Sequence, residues 1–111
     1  MPAILKNSKP VTLINVFTVE PRNQRQLIEL LDRATHDSVI HAQGFISASL
    51  HRSLDGTKVT MYAQWQSAED YQAMRENPMP LPYLQQALAI AKFEPAMYEV
   101  VETYIAAAPN D

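Results

Sequence analysis

The chain has 111 residues, 47% of them apolar and 19% charged, with a net charge of -3 and no cysteine. That length fits one domain with a shallow core, and the apolar-to-charged balance is that of a globule, not a disordered chain. Interspersed acids and bases argue against nucleic acid or an anionic membrane as partner, the missing cysteine excludes disulfides and thiol chemistry, and no leader-like or membrane-spanning run occurs, so the expected compartment is the cytoplasm.

Residues 1–10 read as a loose N-terminal arm, 11–105 as a single domain and 106–111 as a C-terminal tail. Val11 to Val19 alternates and is rich in β-branched residues, which predicts a strand. Its apolar row, Val11, Leu13, Phe17 and Val19, is interrupted by Asn15. Burying that amide costs about 1–3 kcal/mol unless it is paired, so Asn15 either caps a backbone group or lines a cavity. Asn23 to Ala42 predicts a helix with Leu27, Leu30, Leu31, Ala34 and Ser38 on its inner stripe and Gly44 as its cap.

Phe45 to Ser53 and Lys58 to Gln66 form an antiparallel pair around Leu54-Asp55-Gly56-Thr57, a hairpin turn. The second of these strands puts Val59, Met61, Ala63 and Trp65 on one face. Ser67 opens a helix to Glu76, with Asp70 three residues on, at capping-box spacing. Pro78 to Tyr83 is a stiff connection, Leu84 to Lys92 a short helix with Leu84, Leu88 and Ala91 facing in, and Ala96 to Ile105 the last strand. All eight prolines and both glycines then lie outside the elements.

The order β-α-β-β-α-β, with one extra helix, defines an α+β fold: a ferredoxin-like antiparallel sheet with its helices on one face. The other face carries Ile14, Val16 and Tyr62 with no segment to cover them, which predicts a homodimer joined through that sheet face. On the helix side, Asn15, Trp65, Tyr71 and Arg75 converge on one region. A mostly apolar cavity with a few polar groups suits a flat aromatic ligand. Phe17, Met61, Met74 and Tyr83 complete the expected wall. His36 and His41 are five apart and share no helical face with a third ligand, so no metal site is expected; Asp32 and His36 read as a surface pair.

Gly44 to Tyr71, with its Phe-Ile-Ser strand start, Asp-Gly turn and Gln-Trp-Gln-Ser-Ala-Glu-Asp-Tyr corner, resembles the antibiotic biosynthesis monooxygenase (ABM) family of the dimeric α+β barrel superfamily. The similarity covers roughly Val11 to Tyr104. It implies a dimer and, in the anthrone-oxidising members, roles for the tryptophan (Trp65) and for a tyrosine on the following helix (Tyr71). Those members also carry an asparagine shortly before the tryptophan on the same strand face. This chain has Met61 there, and Arg75 stands loosely for their arginine. Haem-degrading members use a first-strand asparagine, the same tryptophan and a later histidine; Asn15 and Trp65 match, but no histidine follows His51.

The implied activity is cofactor-independent oxidation of a small aromatic (a phenol, hydroquinone or anthrone) to a quinone by molecular oxygen. Catalytic roles fall to Trp65, Tyr71 and Asn15, substrate contacts to Met61, Phe17, Met74, Arg75 and Tyr83, and no cofactor is required. The alternative is a non-catalytic, small-molecule-binding or accessory dimer of the same fold, favoured by Met61 and by the lack of an evident base. Haem binding is a third reading.

Overall fold

The computed structural model describes residues 10–77 and 81–108. Strands β1 (Val11–Val19), β2 (Phe45–Arg52), β3 (Lys58–Trp65) and β4 (Ala91–Tyr98) form one open antiparallel sheet in the order β2-β3-β1-β4. Helices α1 (Gln24–Asp37), α2 (Ala68–Arg75) and α3 (Leu81–Ile90) complete the ferredoxin-like α+β arrangement. The expected N-terminal arm falls almost entirely on residues outside the described set.

Helix α1 binds the sheet through Leu27, Leu30, Leu31 and Ala34, all buried, at the i, i+3, i+4, i+7 spacing of one helical face. Fully burying a leucine such as Leu27 is worth about 1.5–3 kcal/mol. The core has two parts. One groups Phe17, Val19, Leu27, Leu30, Leu31, Val59 and Ala87; the other groups Leu13, Ala63, Trp65, Tyr71 and Met74. Asn15 lies on β1 between Leu13 and Phe17, at the seam of the two.

Four boundaries differ from the sequence expectation. The first helix ends at Asp37 instead of Ala42, because Ser38 leaves helical geometry (φ -141°, ψ -57°) ahead of the β-branched pair Val39-Ile40; a short 3-10 turn, Val39–His41, follows. Gly44 therefore caps no helix. Helix α3 begins at Leu81, with Pro82 in its first turn where no intrahelical N–H is required. Leu84 faces in as expected and Ala87 is fully buried, but Leu88 points outward, 48% exposed, and Ala91 packs inward from the following strand. The last strand runs Ala91–Tyr98, not Ala96–Ile105, and passes straight through Pro95. Strand β4 is an edge, so a residue without an N–H is tolerated there. Prolines 82 and 95 thus lie inside elements.

On the face away from the helices, Ile14, Val16 and Tyr62 are half-buried and interleaved with polar residues. Gln64 Nε2 donates to Thr12 Oγ1 (2.7 Å) and to Tyr62 Oη (3.2 Å) across that surface.

Two corners fix the hairpin and its exit. In the turn, the Asp55 carboxylate accepts from the Thr57 hydroxyl (2.7 Å), the Thr57 N–H (3.0 Å) and the Ser53 hydroxyl (2.8 Å). The Thr57 hydroxyl first, then its N–H and Ser53, hold the carboxyl at about 2. Gln24 Nε2 ties α1 to the turn through the Ser53 and Lys58 carbonyls. At the other end, Ser67 Oγ accepts from the Asp70 N–H (3.1 Å), the forward half of the expected capping box, while the Asp70 side chain lies against Gly44. Gly44 has φ +83°, and its carbonyl accepts from the Gln66 N–H (2.7 Å).

A Cβ at position 44 would meet both a left-handed backbone and the Asp70 carboxylate. Gly44→Ala is expected to lower stability by about 1–3 kcal/mol in denaturant unfolding. The depressed Asp55 carboxyl contributes stability that is complete above the ordinary carboxylate range and lost as pH falls through about 2. The melting temperatures of the wild type and Asp55→Ala should therefore differ most above about pH 4 and converge toward pH 2.

Candidate active site

A cavity opens at the seam of the two core groups, under the helices. Strand β1 contributes Leu13, Asn15 and Phe17; β3 contributes Met61, Ala63 and Trp65; α2 contributes Tyr71, Met74 and Arg75. Because β3 side chains alternate, one strand face delivers Met61, Ala63 and Trp65 to the same space. Trp65 is held from several sides. A register shift between Phe45 and Ser47 brings Phe45 opposite Trp65, and its ring meets the indole edge-on at 5.4 Å and 80°. The Tyr71 ring meets it at 5.7 Å and 69°.

Two buried polar atoms in this wall have no hydrogen-bond partner among the described residues: Asn15 Oδ1 and Trp65 Nε1. Each such atom costs about 1–3 kcal/mol in a folded protein. One accepts and the other donates, and both belong to residues lining the same cavity. A ligand carrying one hydroxyl and one carbonyl oxygen on an apolar frame would satisfy both.

Arg75 and Tyr71 form the cationic side of the site. Arg75 Nη1 donates to Tyr71 Oη at 2.8 Å, and its guanidinium lies 5.2 Å from the Phe93 ring centroid. Phe93 in turn stacks on its cross-strand partner Phe17, at 4.7 Å and 18°. Since Arg75 occupies an acceptor site of the phenol, the Tyr71 O–H remains available as a donor. Among the described residues no carboxylate or histidine lines the cavity, and the hydroxyl of the lining Thr35 already donates to the Leu31 carbonyl (2.7 Å), which leaves Tyr71 and Arg75 as polar-hydrogen sources beside the indole and the amide. The void itself is small, about 60 Å³. Ligand sites usually span several hundred, so a fused ring enters by displacing side chains, and the unbranched Met61 and Met74 are the walls best able to yield.

The structure thus brings Asn15, Phe17, Met61, Trp65, Tyr71, Met74 and Arg75 to one cavity. Tyr83 does not line it: it packs against the core group around Phe17 and Leu27, and its hydroxyl donates to Asp37 Oδ2 (2.8 Å). That hydrogen bond, and then the Asp37 charge, raise the Tyr83 phenol above its usual range. Asp32 and His36 form an exposed pair at 3.2 Å. Sequence reasoning missed Phe45 and Phe93. Phe93 was hidden by a helix drawn through Lys92; strand alternation counted back from Met97 would have found it.

A four-stranded antiparallel sheet and three helices, with an apolar cavity walled by a tryptophan between them, define a ferredoxin-like α+β protein. The profile of the antibiotic biosynthesis monooxygenase family matches residues 10–82, and the chain belongs to that family. It is 39% identical over 99 residues to tetracenomycin-F1 monooxygenase of Streptomyces glaucescens, covering 89% of this chain and 88% of that one. Among solved structures it is similar to SnoaB, a cofactor-independent oxygenase from Streptomyces nogalater (TM-score 0.76, 21% identity, 86% of this chain and 97% of that one). It is also similar to Rv0793 from Mycobacterium tuberculosis (TM-score 0.74, 22% identity, 85% and 97%). No helix among the described residues is long and apolar enough to cross a membrane.

The Arg75–Tyr71 hydrogen bond is local and part-buried. Tyr71→Phe should lower stability by about 0.5–1.5 kcal/mol in denaturant unfolding, leaving the fold intact by circular dichroism.

Proposed function

We propose that this protein is a cofactor-independent monooxygenase that oxidises a fused phenolic compound, of anthrone type, to its quinone. The observation that carries the reading is the unmatched pair Asn15 Oδ1 and Trp65 Nε1 in an otherwise apolar cavity. Such a pair costs folding energy in the free protein, and a hydroxy-ketone returns it on binding. The kinship with a tetracenomycin-F1 monooxygenase supports the same class of substrate.

The Trp65 N–H donates to the ketone oxygen of the substrate, on which charge builds, by conjugation through the flanking aromatic rings, as the methylene on the opposite side of the central ring loses a proton. Asn15 accepts from a phenolic hydroxyl and fixes the ring in the plane. Asn15 and Met61 are cross-strand partners, so β1 supplies an amide beside the β3 position where the resembled enzymes carry theirs. The Tyr71 O–H, polarised by Arg75, donates to oxygen anions that form during the reaction. The carbanion gives electrons to molecular oxygen directly. The methylene becomes a carbonyl, one oxygen atom is retained, and the other leaves as water with the two methylene hydrogens. No external reductant enters the balance, because the substrate supplies all four electrons. The protein's task is to orient the ring, stabilise the anion and exclude water. Two copies joined through the outer sheet face, at Ile14, Val16 and Tyr62, form the working unit.

The test is oxygen uptake by chelator-treated protein with a panel of hydroxyanthrones and hydroquinones. Uptake above the spontaneous rate, with quinone formed and Trp65→Phe slower by about a hundredfold, is the expected result. Quenching of the fluorescence of Trp65 by the panel without any uptake would overturn the catalytic reading and leave a binding protein.

A further inference from the structure

The Asn15 carbonyl, Oδ1, is buried without a partner among the described residues, and its sheet neighbours account for that. Strand β1 is an inner strand, so Asn15 has a directly opposite residue on each side: Met61 on β3 and Pro95 on β4. Side chains so paired share a face, with Cβ atoms about 4.5–5.5 Å apart. Along β1 itself the same face carries Leu13 and Phe17. None of these four side chains has a polar hydrogen, and the Met61 thioether is only a weak acceptor. In the cavity wall the Thr35 hydroxyl is committed to the Leu31 carbonyl (2.7 Å), and Arg75 Nη1 to Tyr71 Oη (2.8 Å).

The same two strands show what a donor on β3 does. On the outer face Gln64 is the cross-strand partner of Thr12, and its Nε2 donates to Thr12 Oγ1 at 2.7 Å. Methionine has nearly the length of glutamine, so a glutamine at position 61 would reach Asn15 as Gln64 reaches Thr12. Met61 keeps that length and lacks the donor.

We propose that Met61 is a positioning residue: by withholding a hydrogen bond across the strands it keeps the Asn15 carbonyl open to the ligand, and so makes the site selective for an aromatic hydroxyl over its methyl ether. The inference rests on the reading of Asn15 as the acceptor for a phenolic hydroxyl and adds the residue that keeps that acceptor free. A hydroxyl brings the donor that Asn15 lacks. A methyl ether does not, and leaves the carbonyl buried and unmatched. With an amide at position 61 the carbonyl would turn toward β3, and hydroxyl and ether would bind nearly alike.

The experiment compares 1,8-dihydroxyanthraquinone with its dimethyl ether by quenching of Trp65, the chain's single tryptophan, in the wild type, Met61→Leu, Met61→Gln and Met61→Thr. Circular dichroism checks each fold, and threonine, a good strand former, repeats the test should the glutamine variant not fold. The wild type and Met61→Leu should prefer the hydroxyl compound by about tenfold or more, and the two donor variants by about threefold or less. Loosened packing alone would weaken both ligands together and leave the ratio unchanged. A ratio kept in both donor variants overturns the proposal, and so does a ratio lost in Met61→Leu. A wild type that binds both compounds alike overturns the acceptor role of Asn15 and this proposal with it. The ratio is a binding quantity, read whether or not oxygen is consumed, which separates its outcome from that of the catalytic reading.

Discussion

An indole N–H and an amide carbonyl sit buried at the edge of one apolar cavity, each without a partner among the described residues. Folding ordinarily removes such groups or satisfies them, because every unmatched one costs about 1–3 kcal/mol. Much of the local architecture holds the larger of the two groups in place. The register shift at the start of β2 aims Phe45 at Trp65, the Ser67 cap starts α2 just past the strand end, and Gly44 lets Asp70 approach closely. Trp65 is 1% exposed as a result. Rigid placement of an unsatisfied donor is what a binding site requires and what a purely structural core avoids.

The two parts of the core divide the work. The group around Leu27, Val59 and Phe17 joins α1 and α3 to the sheet. The group around Trp65, Tyr71 and Met74 is built partly from adaptable or polar-tipped residues and forms most of the cavity wall. The two are linked by aromatic stacking, from Phe17 to Phe93 and on to the Arg75 guanidinium. The Arg75 charge that lines the apolar site is thereby held against the other part of the core.

The sequence spoke clearly wherever local chemistry and tertiary structure agreed. Strand β1, the Asp-Gly hairpin and the Trp65-to-Tyr71 corner carry alternation, turn residues and a cap, and each lies where those signals put it. Pro95 misled because its effect depends on strand position: in a central strand it would break the ladder, but at the β4 edge it is accommodated. Ser38 and the β-branched pair after it ended α1 early, against an apolar stripe that continued. Tyr83, expected in the connection before the third helix, lies within α3, which turns its hydroxyl to Asp37. That Asn15 is cavity-lining and unpaired could not be read from β1 alone, since its possible partners come from other elements. The strand signal of 99–105 is unmet within the chain, since β4 ends at Tyr98.

The central claim is that Asn15 is retained for ligand binding at the expense of stability. The direct measurement is made on Asn15→Leu, which keeps the side-chain size and removes the unmatched amide. Thermal unfolding would be measured alongside titration with 1,8-dihydroxyanthraquinone, followed by quenching of Trp65, the chain's single tryptophan. The account predicts a variant more stable by about 1 kcal/mol that binds at least tenfold more weakly. A variant less stable than the wild type with unchanged affinity would contradict it and make Asn15 a structural residue.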